Sequence, residues 1–247
     1  MNLLMPILFF LLSTSRAMAQ GGPPLLTDDP GTPGNRNWEI NTAWQATASS
    51  ANLASQTPQL DLNYGAGDQV QLNLQIGYVV ANQYGEGPYS GLSAFSVGTK
   101  WRFVDEDRAG IAISTYPRLD FHGPFSSGNE RINTPGSRFF LPAEFSKELG
   151  RFGINPEIGY AHFTRQADEW DFGLASSYEV EKEKELLAEV HVRRVTSGGG
   201  TEALPQIGSR WAVAKWASVI DAFGRSVQQS NDEPPFWSIY FGAQLRL

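Results

Sequence analysis

The chain has 247 residues, enough for one large domain, and carries 26 acidic against 19 basic side chains. That balance excludes the basic footprint that a nucleic-acid partner requires, so no nucleic acid is expected. With no cysteine there can be neither a lipoprotein anchor nor a disulfide staple.

Taken in order, Leu3 to Leu12 is an apolar run, followed by Ala17-Met18-Ala19, a small-residue cleavage site. The run is too short for a membrane helix, which needs about 20 residues. Residues 1–19 therefore read as a signal peptide cut between Ala19 and Gln20. Residues 20–36 hold Pro23, Pro24, Pro30 and Pro33 and are expected to be an irregular, periplasmic N-terminal segment. Residues 37–247 are read as the folded domain.

From Trp38 onward the dominant pattern is period two, the spacing of strands with one apolar and one polar face. Trp38, Ile40, Thr42, Trp44 and Ala46 alternate with Glu39, Asn41, Ala43 and Gln45. Val70, Leu72, Leu74, Ile76, Tyr78 and Val80 alternate with Gln69, Gln71, Asn73 and Gln75. The same alternation recurs near 60–64, 95–103, 111–116, 138–145, 152–160, 170–178 and 185–193. It is less clear over 205–215 and 217–227, and it closes the chain at 236–247. This gives about twelve strands, an even number, as single-chain bacterial barrels require.

The connections add a second signal. They read long (49–57), short (65–68), long (81–91), short (104–107), very long (121–136) and short (150–151). They continue long (165–168), short (181–183), long (197–204), short (near 216) and long (228–235). A soluble Greek-key sandwich has no reason to keep that parity, whereas an outer-membrane barrel does. The expected fold is therefore all-β: a transmembrane, antiparallel, up-and-down β-barrel of about twelve strands behind a cleaved signal peptide. Charge is confined to one parity, which would face the lumen. Lys147 departs from this rule near a strand end, where it can snorkel. Pro117, Pro142 and Pro156 each remove a ladder donor and suggest bulges or a gap in the wall. Trp38, Trp101, Trp170, Trp211 and Tyr178 would form aromatic girdles; in a soluble sandwich they would sit at strand centres.

The C-terminal strand resembles the closing strand of bacterial outer-membrane barrels, with Tyr240, Gly242, Leu245 and Leu247 in the places of their insertion signal. The stretch GlyProProLeuLeuThrAspAspPro at 22–30, followed by TrpGluIle at 38–40, resembles the opening of the phenol-degradation meta-pathway family of porin-like outer-membrane proteins. A second match is ProGlnLeuAspLeuAsnTyrGly at 58–65 followed by AspGlnValGlnLeuAsnLeu at 68–74. The resemblance implies an outer-membrane location in a Gram-negative bacterium and passage of small, aromatic or hydrophobic catabolic substrates. The partners it implies are the lipid bilayer, lipopolysaccharide, the barrel-assembly machinery and the small-molecule solute.

The expected lumen residues are Lys100, Arg102, Arg118, Arg138, Glu144, Glu157, Asp171, His191 and Arg193. If Gly150-Arg151 is a two-residue turn, Glu144 faces Glu157. Two adjacent carboxylates repel unless a cation lies between them, so Lys100, Arg102, Arg118 or Arg138 is expected to reach the pair. Counting through the turn at 181–183, Asp171 faces Arg193 and Gly173 faces His191. The loop 121–136 is the candidate constriction. His122, His162 and His191 lack metal-ligand spacing, so neither a metal nor a cofactor is expected. His162 and Thr164 are similar to the His-x-Ser pair of outer-membrane lipid A deacylases, with Thr for Ser and no evident acid partner. The favoured function is a channel rather than an enzyme. A barrel-borne lipid-modifying enzyme and a non-conducting surface scaffold are the alternatives.

Overall fold

Among the described residues, fifteen strand segments build the wall, together with one short helix, α1 (Glu106–Ala109). In order they are β1 (Trp38–Ala48), β2 (Asn52–Gly65), β3 (Val70–Gln83), β4 (Gly87–Leu92), β5 (Phe95–Val104), β6 (Ala112–Thr115), β7 (Arg118–Phe121) and β8 (Arg138–Leu149). They continue with β9 (Phe152–Phe163), β10 (Glu169–Glu181), β11 (Lys184–Val195), β12 (Thr201–Ala214), β13 (Ala217–Arg225), β14 (Val227–Gln228) and β15 (Trp237–Arg246). The computed structural model describes residues 22–123, 125–130, 132–133, 136–198, 200–228 and 234–247. The expected signal peptide lies outside them.

β4 and β5 form one interrupted stave, as do β6 with β7 and β13 with β14, so the segments make twelve staves. Each pairs antiparallel with its neighbours, and β1 pairs with both β2 and β15. The sheet thus closes into a twelve-stranded up-and-down barrel without a free edge. In hydrocarbon no water can take a backbone N–H or C=O, and closure is how a sheet pairs them all.

The side chains are arranged inside out relative to a water-soluble protein. Outward positions such as Trp44, Leu72, Leu174 and Phe241 are exposed, whereas inward Asn41, Asp61, Lys100, Glu144 and Asp171 are buried. Aromatic contacts gather at both rims. At the end where the chain enters and leaves the barrel, Trp38 meets Tyr64 at 4.9 Å and Phe152 meets Tyr178 at 4.6 Å between ring centroids. At the loop end, Tyr160 meets Trp170 at 5.0 Å and Phe223 meets Trp237 at 5.1 Å. Lys147, on the outer face, reaches round to donate to the carbonyl of Gly110 at 2.8 Å.

The connections depart from the expected alternation: the expected short turn 104–107 runs over 105–111 and carries α1. The expected long loops 49–57 and 81–91 are tight, because β2 and β3 run on past the apolar stretches that define them in sequence. Pro58 does not end β2; it sits at a register shift between Gln56 and Gln59, where no ladder N–H is needed. Gly85 and Gly87, both at positive φ, turn the chain at 84–86. The prolines act as expected at one site: Tyr116 and Pro117 separate β6 from β7, facing Leu141 and Pro142 of β8, which pair with β9 but not with that interrupted stave. Pro156 instead lies outward within an unbroken β9.

Phe241 stands mid-strand on the outer face. Phe241→Arg should destabilise the barrel in lipid vesicles by about 2–4 kcal/mol, the cost of a guanidinium at the bilayer midplane; urea unfolding with tryptophan fluorescence measures it.

Candidate functional site: a lumen occupied by the N-terminal segment

The residues placed outside the barrel by composition fold into it. Residues 20–36 were expected to be periplasmic; residues 22–31 instead run inside the barrel. The reason is complementarity between the backbone of an irregular segment and the charged inner wall. Such a segment makes few hydrogen bonds to itself, and the wall supplies acceptors and donors for it. Glu189 of β11 accepts the N–H groups of Leu26 and Thr27, and Glu157 of β9 accepts that of Asp28 at 3.1 Å. Lys100 of β5 donates to the Asp29 carbonyl and pairs with the Asp28 carboxylate at 2.8 Å. Arg210 of β12 donates to the carbonyl of Pro23 at 3.0 Å.

Packing completes the seat. Leu25 enters a small apolar pocket of inward-facing Ala43, Ala175, Leu187, Ile220, Ala222 and Tyr240. Gly173 of β10 leaves room for Thr27: a Cβ there would lie 2.2 Å from the threonine hydroxyl oxygen. At the terminal rim the segment is tied down again, with Thr32 donating to the Asp68 carbonyl at 2.7 Å.

Glu144 and Glu157 are cross-strand partners, as the turn at 150–151 implies. Of the four basic candidates, Lys100 is the one with an ion pair to them, lying 3.8 Å from Glu144; Ser114 donates to the same carboxylate oxygen at 2.6 Å. Glu157 serves the segment instead, so it is covered rather than open to passing ions. Arg118 and Arg138 alternate with rings up one wall. Arg118 lies 4.8 Å from the Tyr116 centroid and 4.9 Å from that of Phe140, and Arg138 lies 4.6 Å from Phe140. This stacking stiffens the wall beside the break between β6 and β7.

Nearer the loop end, Asp171 faces Arg193 and Gly173 faces His191, the register read from the sequence. Asp171 is surrounded by Arg193 at 3.6 Å, His191 at 3.6 Å and Arg138 at 3.8 Å. Arg102 stands apart at the terminal rim, paired with Asp105 at 2.9 Å. In the closing strand, Tyr240 and Gly242 fall on the inner parity, with Leu245 and Leu247 on the outer.

The described residues leave space inside the barrel. A vestibule of about 350 Å³ opens at the loop end, lined by Gln56, Gln59, Gln75, His122 and Arg138 among others. A larger one of about 880 Å³ opens at the terminal end, around Arg102, Glu106, Ser146 and Glu179. Between them, a side cavity of about 150 Å³ runs past the N-terminal segment. It shares Gln59 and Gln75 with the first vestibule and Gly31 with the second. The described part of loop 121–136 packs at the mouth, where Asn133 donates to the Leu92 carbonyl at 2.9 Å. The middle of the lumen belongs to residues 22–31.

Sequence reasoning missed Asp28, Asp29, Glu189 and Arg210. The signal was weak but present: an apolar residue and two acids inside a proline-rich stretch, opposite strands with Gly and Ala on their inner parity. It also missed the acid beside His162. Asp168 lies 3.0 Å from His162 Nδ1 and accepts from the Tyr160 hydroxyl at 2.7 Å. That hydroxyl, then the Phe163 N–H and His162, hold the Asp168 carboxyl down at about 2. A depressed carboxyl stabilises above its unfolded value and loses that effect only as pH falls towards 2. The contact is therefore a loop clasp that persists through mild acid. Thr164 accepts the N–H of Ser137 at 2.9 Å, a structural use of its hydroxyl.

The fold defines the class: a closed twelve-stranded transmembrane β-barrel with a polar, partly filled lumen. No family model and no curated protein matches the sequence. Solved structures share the fold. An outer membrane channel from Pseudomonas putida F1 superposes with a TM-score of 0.72 at 12% identity, over 89% of this chain and 98% of that one. The NanC porin gives 0.59 at 9% identity, over 84% and 100%, and the KdgM porin 0.55 at 8%, over 83% and 98%.

Lys100 is the segment's main charged anchor. Lys100→Met would leave Asp28 and Glu144 without their shared cation, an arrangement strongly unfavourable in a buried setting. The segment should then leave the lumen while the barrel stays closed. A cysteine at Leu25 should react with a maleimide several-fold faster in the Lys100→Met background, at unchanged barrel mobility on an unheated gel.

Proposed function

We propose that this protein is a channel of the Gram-negative outer membrane whose N-terminal segment narrows its lumen. One observation carries the reading: a polar side cavity beside the segment borders both vestibules, sharing Gln59 and Gln75 with the one at the loop end and Gly31 with the one at the terminal end. A scaffold would have no use for polar cavities set end to end along the lumen. The likeness to solved outer-membrane channels and porins supports the barrel on which it rests.

The proposed solutes are small catabolic substrates of aromatic or hydrophobic character, and the proposed family is the phenol-degradation meta-pathway group. Support for both is the resemblance in sequence. One of its specific stretches, 22–30, is the part of the chain that fills the lumen, so the matching residues sit where they would meet a solute. The proposed surroundings are the lipid bilayer and lipopolysaccharide, reached through the barrel-assembly machinery.

Planar-bilayer recording tests the channel reading. The mature chain should give small, steady single-channel currents, and deletion of residues 22–31 should raise them several-fold. Heat-modifiable gel mobility establishes that both forms are folded. Zero current from both folded forms would leave the non-conducting scaffold as the better account.

A further inference from the structure

We infer that Asp61, with the carboxamides around it, forms a binding site for a monovalent cation in the side cavity, and that this site makes the passage cation-selective. The selectivity rests on the channel reading; the site itself does not.

Most interior carboxylates have a visible counterpart. Asp28 and Glu144 share Lys100, Glu185 pairs with Arg210, and Glu39 pairs with Arg246. Glu157 and Glu189 hold backbone N–H groups of the N-terminal segment. Asp61 differs. Among the described residues it makes no ion pair, and it does not bind the segment. Its oxygens accept only from carboxamides, Asn41 at 3.0 Å and Asn73 at 2.6 Å.

The collar is wider than those two bonds. Asn63 Oδ1 accepts from both Asn73 and Gln71, each at 2.7 Å. Asn41, Asp61, Asn63, Gln71 and Asn73 are all buried, at 1–6% exposure. The register explains how they meet: Asn41 pairs with Asp61 across β1 and β2, and Asn63 pairs with Asn73 across β2 and β3. After these bonds, Asn41 Oδ1, Asn73 Oδ1 and Gln59 Oε1 remain buried without a donor. Asp61, Asn63, Gln59 and Gln71 line the side cavity.

A carboxylate kept from water stays ionised only with a counter-charge and otherwise takes up a proton, and buried acceptor oxygens need a donor or a cation. A desolvated cation answers both needs. Carboxylate and carboxamide oxygens are hard donors that can replace an ion's water shell. One formal charge among neutral oxygens suits a monovalent ion. On the adjoining strand β5, Lys100 is the cross-strand partner of Gln71 but is held by Asp28 and Glu144, and Arg118 of β7 is stacked between Tyr116 and Phe140. Neither is paired with Asp61. The lining of the cavity carries four acids, Asp28, Asp29, Glu39 and Asp61, against two bases, Lys100 and Arg118.

Reversal potentials in a KCl gradient across a planar bilayer test the selectivity. The mature protein should favour potassium over chloride, Asp61→Asn should reduce the permeability ratio several-fold, and Gln59→Leu should reduce it less. An unchanged ratio in a folded, conducting Asp61→Asn protein would overturn the inference. Crystals of the mature protein grown in rubidium chloride test the site without any current. Anomalous density beside Asp61 is expected; none there would overturn the site, whether or not the barrel conducts. Zero current with rubidium bound would instead reject the channel reading and keep the site.

Discussion

Backbone hydrogen bonding in hydrocarbon is the constraint from which this structure follows. A strand that crosses lipid has no water to take its N–H and C=O groups, so each must pair sideways until the last strand meets the first. Here that meeting is the β1–β15 ladder, from Glu39 opposite Arg246 to Ala48 opposite Trp237. Closure then sorts the side chains. One parity faces acyl chains and is apolar; the other faces inward and is free to be charged.

A charged interior creates its own demand. Twelve staves enclose a lumen too wide for short polar side chains to fill, and carboxylates there need partners. The N-terminal segment meets much of this demand. Its backbone N–H groups satisfy Glu157 and Glu189, its Asp28 balances Lys100, and its Leu25 fills the small apolar seat below Tyr240. What fills the lumen is thus not a folded domain but a stretch whose own backbone would otherwise be poorly bonded. It occupies only part of the width, and that leaves a side cavity lined largely by β1, β2 and β3.

Much of this was legible in the sequence because two periods are hard to counterfeit. The alternation along β3 or β11 fixes which side chains face inward, and a short turn fixes register, so the Glu144–Glu157 and Asp171–Arg193 pairings follow by counting. Strand ends were less legible. β2 and β3 extend through Gln, Asn, Ser and Ala residues that carry no apolar alternation, and the expected loops there are strand. The N-terminal segment was illegible for a deeper reason. Irregular backbone has no period, and its place is set by tertiary partners up to 187 residues away in sequence, as between Arg210 and Pro23. The collar around Asp61 shares that difficulty: its amides look like ordinary polar-face residues until three strands are laid side by side.

The account stands or falls on which face of each strand meets lipid. Single spin labels placed in turn along β11, Lys184–Val195, in lipid vesicles measure this most directly. Collision with oxygen, which concentrates in lipid, should be high at Leu186, Ala188 and Val190 and low at Glu185, Leu187, Glu189 and His191, alternating residue by residue. Uniform accessibility along the strand, or high collision with a water-soluble relaxant at Leu186, Ala188 and Val190, would contradict it.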